Sequence, residues 1–208
     1  MTDFAQDRLA RRQVATARDT EVAERSKRIE LIEAAKEAER QAISVKVHAE
    51  AEKEAASNRA AQLFRSKGLG HDDVVAFMLD NTPHYYGLTW GAQRAGLRYV
   101  CISSRLTQDE TDYILENSGA QILVVSASLA GAAQQLTTGI KRFAMGGVIP
   151  GYASWEDAVA AMPATPVADE RAGVDMLYSS GTTGRPKGVR VPLPEDPAID
   201  AMNSLVML

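Results

Sequence analysis

Apolar positions follow two different patterns along the chain. Up to Lys67 they are sparse: Val22, Ile29, Ile32, Ile43 and Val47 stand among alanines and charged residues, and no heptad seam can be followed through them. Neither glycine nor proline occurs before Gly68, and Ala, Glu, Arg, Lys and Gln dominate, residues that lose little rotamer freedom in a helix. A long N-terminal helix is therefore expected, assisted by the one-turn pairs Glu21/Arg25 and Glu24/Arg28 at about 0.2–0.5 kcal/mol each. Read on its own, it is either a solvated helix or a weak self-association surface.

From about Ser57 the pattern alternates. SNRAAQLFRSKG predicts a helix that buries Leu63 and Phe64 and is closed by Gly68. VVAFML (74–79) is a continuous apolar run of the kind found in strands covered on both faces, and RYVCIS (98–103) and QILVVS (121–126) are the second and third strand candidates. Between them, Thr82 and Pro83 open a helix that runs to Ala95 and stops at Gly96. Thr107 and Glu110 have the spacing of a capping box for a second helix, to Asn117, with Gly119 beyond it. After a less regular span, Ser154 caps the short helix SWEDAVAAM, and Val174–Leu177 reads as a further buried strand. The expected class is α/β: a partial, mostly parallel sheet with flanking helices, preceded by the long helix. The expected domains are 1–56 and 57–208.

Composition narrows the function classes. The 208 residues are 45% hydrophobic, enough for a core, and their net charge of −4 offers no basic excess for nucleic acid. Cys101 is the one cysteine, which rules out an internal disulfide, and His48, His71 and His84 are scattered without metal-ligand spacing. The longest apolar stretch, ILVVSASLAGAA, is too short and too polar to cross a bilayer, and the first residues lack a signal-peptide core. A cytoplasmic chain is expected, with a membrane-peripheral position as the alternative. Cys101 is expected to act as a small buried hydrophobe. His71 is expected in a solvated turn and His84 in a structural role, while Tyr85, Tyr86 and Trp90 are expected to supply core area.

The chemistry concentrates in YSSGTTGRPKGV, residues 178–189, at the end of the last strand. Gly181, Gly184 and Gly188 let the backbone approach a ligand closely. Successive N–H groups, with the hydroxyls of Ser179, Ser180, Thr182 and Thr183, can donate to phosphate oxygens, and Lys187 brings a movable positive charge. Pro186 restricts the residue before it and stiffens the exit. This is not a Walker A loop, because Lys187 is followed by Gly188 rather than Ser or Thr. By composition alone, a turn this rich in Gly, Ser and Thr is more often structural.

The twelve-residue stretch resembles the phosphate-binding signature of adenylate-forming enzymes, the AMP-forming acyl-CoA synthetase and ligase superfamily. The region from SNRAAQLF to QILVVS resembles the amino-terminal part of fatty-acyl-CoA ligases, and GYASWEDAVAAMPATPVADE the segment leading to their loop, so the similarity spans about residues 57–197. It implies a two-step reaction. A carboxylic acid, here of the fatty type, and ATP give acyl-AMP and pyrophosphate, and the thiol of coenzyme A then displaces AMP. It further implies that Ser179, Ser180, Gly181, Thr182, Thr183, Gly184, Lys187 and Gly188 hold phosphate, with Lys187 in the catalytic role and Ser179 beside Mg2+. The family's adenine-binding stretch, ribose-binding aspartate, hinge and carboxy-terminal lysine follow the loop. The chain is therefore expected to be an amino-terminal fragment, inactive alone. YGLTW at 86–90 is no substitute, since it precedes the loop and has Trp90 where the family has glutamate. Separately, residues 23–56 resemble the Ala/Glu-rich helical region of flotillin-like scaffold proteins. That resemblance implies the alternative function, a homo-oligomerising helical scaffold with a ligase-like passenger.

Overall fold

A computed structural model describes residues 3–137, 139–179, 185–196 and 198–199, with side chains from residue 16. The chain forms two compact units, Met1–Ala51 and Glu52–Leu208. The first consists of α1 (Asp3–Ser66) up to Ala51, and every described side chain in it is exposed, Val22, Ile29, Leu31, Ile32 and Val47 included. Helix propensity accounts for it: the charged and alanine-rich sequence forms backbone hydrogen bonds without needing a buried stripe. No new helix starts at Ser57; α1 runs through it, and the Ser57 hydroxyl donates back to the Lys53 carbonyl at 3.0 Å. From there Ala60, Ala61, Leu63 and Phe64 are buried, and Gly68 leaves the helix end at φ +90°.

The second unit is a six-stranded parallel sheet covered on both faces. Its strands are β1 (Val74–Met78), β2 (Arg98–Cys101), β3 (Ala120–Ser126), β4 (Lys141–Met145), β5 (Ala153–Ser154) and β6 (Val174–Asp175), in the order β5-β4-β3-β1-β2-β6. The central β1 leads through α2 (His84–Arg94) to β2 on one side. The chain then crosses by α3 (Gln108–Ser118) to β3 on the other. Past β3, a 3-10 turn (Ala127–Leu129) and the short α4 (Ala130–Ala133) lead to β4, and α5 (Trp155–Ala160) follows β5.

Alternate side chains of each strand serve opposite faces. Val75, Phe77, Tyr99, Ile122 and Val124 pack with Phe64, Leu88 and Trp155 under α1, α2 and α5. Val74, Ala76, Met78, Val100, Leu123 and Val125 pack with Ile114 and Leu115 of α3 and Ala133 of α4. The expected capping box is present: the Thr107 hydroxyl accepts from the Glu110 amide, and Gly119 ends α3 in the left-handed conformation. Ser154 caps α5 by accepting from the Asp157 amide.

Four local expectations need correction. Thr82 does not cap α2; Pro83 stands at the N-cap, with no side-chain hydrogen bond there. Tyr86 is 63% exposed and Trp90 only half-buried; Tyr85 packs against the core from the edge, and Leu88 and Ala92 carry the buried face of α2. Cys101 is exposed: at the end of β2 it lines an open groove, while Ile102, the next residue, is buried. The buried strand expected over Val174–Leu177 is split: β6 stops at Asp175, Met176 is buried, and Leu177 opens a different sheet with 60% exposure.

Candidate phosphate-binding site

The chain leaves the large sheet at Met176, whose amide donates to the Tyr99 carbonyl at 2.9 Å. It then forms a separate antiparallel hairpin, β7 (Leu177–Ser179) and β8 (Lys187–Val189), in the register Leu177↔Val189, Tyr178↔Gly188 and Ser179↔Lys187. Directly opposed residues of an antiparallel pair share a face, and successive pairs alternate. The Tyr178–Gly188 pair faces inward: Tyr178 packs against the core under α3 and its hydroxyl donates to Asn117 Oδ1 at 2.7 Å. Burial pushes the Tyr178 phenol up, which keeps that proton in place. The Ser179–Lys187 pair lies on the other, exposed face.

Two of the expected phosphate ligands, Ser179 and Lys187, are thus brought together across the base of the loop, one on each strand. Gly188 sits one step further in, and a Cβ there would lie 2.9 Å from Tyr178 Cζ and 3.0 Å from Met176 Cε, so the absent side chain leaves room for the Tyr178 ring to lie across β8. Ser180, Gly181, Thr182, Thr183 and Gly184 lie outside the described residues. Beyond them, the Arg185 guanidinium stands over the Tyr113 ring at 5.1 Å and Pro186 is buried.

Sequence reasoning missed Tyr113 and Asn117, which seat the hairpin. Both lie on α3, and the residues that reach them, Arg185 and Tyr178, stand more than 60 positions further along the chain, so no local pattern marks them. Nor did it place the groove of about 830 Å3 beside the end of β2, where Tyr85, Tyr99, Cys101 and Leu177 meet. Burial pushes the Tyr85 and Tyr99 phenols up, and it raises the Cys101 thiol against the opposing effect of its hydrogen bond with Tyr85. Although Cys101 is exposed as a residue, it lines this groove beside Tyr85, where burial works against the thiolate. His71 and His84 are exposed, and the His71 ring lies 3.0 Å from the Gly96 carbonyl. Among the described residues no group of His, Cys, Asp or Glu is arranged to hold a metal.

The AMP-binding enzyme family matches residues 33–193. Among curated relatives, the crotonobetaine/carnitine–CoA ligase of Escherichia coli is 35% identical over 144 residues, 64% of this chain and 28% of that protein. Among solved structures, an acyl-CoA synthetase of Brucella canis matches with a TM-score of 0.60 at 27% identity, covering 67% of this chain and 27% of that one. A Mycobacterium tuberculosis fatty acyl CoA synthetase matches with a TM-score of 0.54 at 24% identity, a likeness of fold, over 67% of this chain and 28% of that one. The chain therefore spans under a third of the length of these relatives. The family match reaches back to residue 33, into the stretch that resembles the flotillin-like helix, and none of these findings carries the scaffold alternative.

Proposed function

Because this chain belongs to the AMP-binding enzyme family, we propose that it supplies the phosphate-holding part of an ATP-dependent, AMP-forming acyl-CoA ligase. The observation that carries the reading is the Ser179–Lys187 pair, exposed on one face at the two ends of the glycine- and hydroxyl-rich loop. In this reading the Lys187 ammonium lies against the outer phosphates, and the loop from Ser180 to Gly184 and Gly188 offers amides and hydroxyls to their oxygens. Mg2+ would fit here only as a companion of the nucleotide: the Ser179 hydroxyl would offer it one oxygen, and the ion would supply positive charge toward the phosphates.

The carboxylate oxygen of the acid attacks the α-phosphorus, and the bond from that phosphorus to the bridging oxygen breaks, with pyrophosphate taking the electron pair. The thiol of coenzyme A then forms the thioester and AMP leaves. What the chain's own residues do in this sequence is hold and neutralise the phosphate end; the chain spans 28% of the length of its curated relatives. The resemblance to fatty-acyl-CoA ligases makes a fatty acid the first substrate to try, and the 35% identical relatives add small trimethylammonium carboxylates such as crotonobetaine and carnitine. A cytoplasmic location belongs to the same reading; among the described residues no helix is long and apolar enough to cross a membrane. Self-association through the exposed apolar positions of α1 is its oligomeric counterpart.

The test is exchange of labelled pyrophosphate into ATP, dependent on each carboxylic acid, beside calorimetric binding of MgATP. Lys187→Ala is expected to weaken MgATP binding by about tenfold or more, the loss of one charge-assisted contact. A folded chain that binds no MgATP, or binds it equally well without Lys187, would sink the reading. Binding without exchange would restrict the chain's part to holding the nucleotide.

A further inference from the structure

Asp72 is the one non-glycine residue with positive φ, +72°, among the described residues. Such a backbone is uncommon outside glycine, and Asp and Asn tolerate it better than most. Here the side chain is fully used. Its Oδ1 accepts from Arg98 Nε at 2.5 Å and its Oδ2 from Arg190 Nη2 at 2.9 Å. The Arg98 side chain, 5% exposed at the start of β2, also donates from Nη1 to the Val191 carbonyl at 2.6 Å. Burial pushes the Asp72 carboxyl up, but the hydrogen bonds and charges of the two arginines outweigh it and hold it below the usual carboxylate range.

These contacts fall on one place in the chain, the two residues immediately after β8. They grip it twice, by the Arg190 side chain and by the Val191 main chain. A buried guanidinium needs a paired acceptor, so Arg98 keeps this arrangement only while Asp72 and the Val191 carbonyl both stay in position. The start of the hairpin is tied to the large sheet through the Met176 amide and the Tyr99 carbonyl. Its far end has this clasp instead. Lys187 is three residues from Arg190, roughly 10 Å along an extended strand, so the clasp also governs where along β7 the lysine stands.

We propose that Asp72 and Arg98 are positioning residues for the phosphate loop: with Arg190 they fix the exit of β8 and thereby hold Lys187 opposite Ser179. The proposal rests on the reading of the loop as a nucleotide-phosphate site. It does not make any of the three a ligand of that nucleotide.

Two variants of the full chain test it. Asp72→Asn keeps a residue suited to positive φ and almost the same shape, and removes only the charge. Arg190→Gln removes the half-exposed arm and leaves the Asp72–Arg98 pair intact, so it reports on the clasp even if Asp72→Asn fails to fold. Hydrogen exchange is measured on peptides covering 187–191 without nucleotide, and MgATP binding by calorimetry. Both variants are expected to speed exchange over 187–191, Asp72→Asn by about tenfold and Arg190→Gln by less, with exchange in β1 and β3 unchanged and MgATP affinity falling in the same order. Wild-type exchange in a folded Asp72→Asn or in Arg190→Gln overturns the clasp whatever the nucleotide does. Faster exchange with undiminished MgATP affinity overturns its positioning role. Faster exchange in a chain that never binds MgATP overturns the phosphate reading and leaves the anchor standing.

Discussion

At Gly173, just before β6, a methyl group has nowhere to go. A Cβ would lie 2.2 Å from the Leu97 carbonyl oxygen, 2.8 Å from the Leu97 amide nitrogen and 3.1 Å from the Ala92 carbonyl oxygen, all of them backbone atoms held in place by their own hydrogen bonds. Side chains can rotate away from an intruder, whereas a strand and a helix end cannot without breaking ladder bonds. Gly173→Ala is therefore expected to cost about 3 kcal/mol, the upper end of what overpacking exacts, read from urea unfolding. Gly131, in α4, has no atom within 4 Å of the same position, so Gly131→Ala is expected to be neutral or slightly stabilising in the same assay. Equal losses at both sites would refute the steric account. Nothing in the sequence separates these two glycines; the difference is made entirely by what folds over them.

Elements differ in how much of their stability is written locally. The cap of α3 lies wholly within four residues, Thr107 to Glu110, and its left-handed end is a glycine, so both were legible from residue spacing. Thr107→Ala is expected to remove about 1 kcal/mol of stability, measured by the shift of the urea midpoint at constant slope. Apolar runs likewise announced β1, β2 and β3. β4 was not legible, because its first two residues are charged: Lys141 is satisfied by the Lys67 carbonyl at 2.6 Å and Arg142 by the Tyr152 ring at 5.5 Å, partners that only the tertiary fold supplies. The run from Val174 to Leu177 looked like one strand because apolarity carries no information on which sheet a residue joins, and Met176 turns the chain out of one sheet and into another. Of the candidate site, the motif itself could be read, including the lysine that stands opposite Ser179. The clasp could not: Asp72, Arg98 and Arg190 are separated by 26 and then 92 residues, and nothing in the run RYVCIS marks its leading arginine as buried.

On the scale of the whole molecule, the buried residues begin at Ser57, and the side chains described between Thr16 and Glu54 are all exposed. Deleting residues 1–51 is accordingly expected to leave the thermal midpoint of the remainder within a few degrees of the full chain, while light scattering changes from an associated species to a monomer. A monomer in both cases would remove self-association from the proposed function, and a collapse of the midpoint would show that α1 contributes to the second unit beyond its buried turns. The division between the two sheets has a different consequence. β7 and β8 bond to each other and, among the described residues, share no ladder with the six strands, so the hairpin is held to the large sheet at separate points, the Met176 amide at its start and the Asp72–Arg98 clasp at its exit. Point attachments in place of a continuous ladder concentrate the coupling between the two sheets in a handful of residues, so a change at one of those points is felt by the hairpin while most of the large sheet is free to differ.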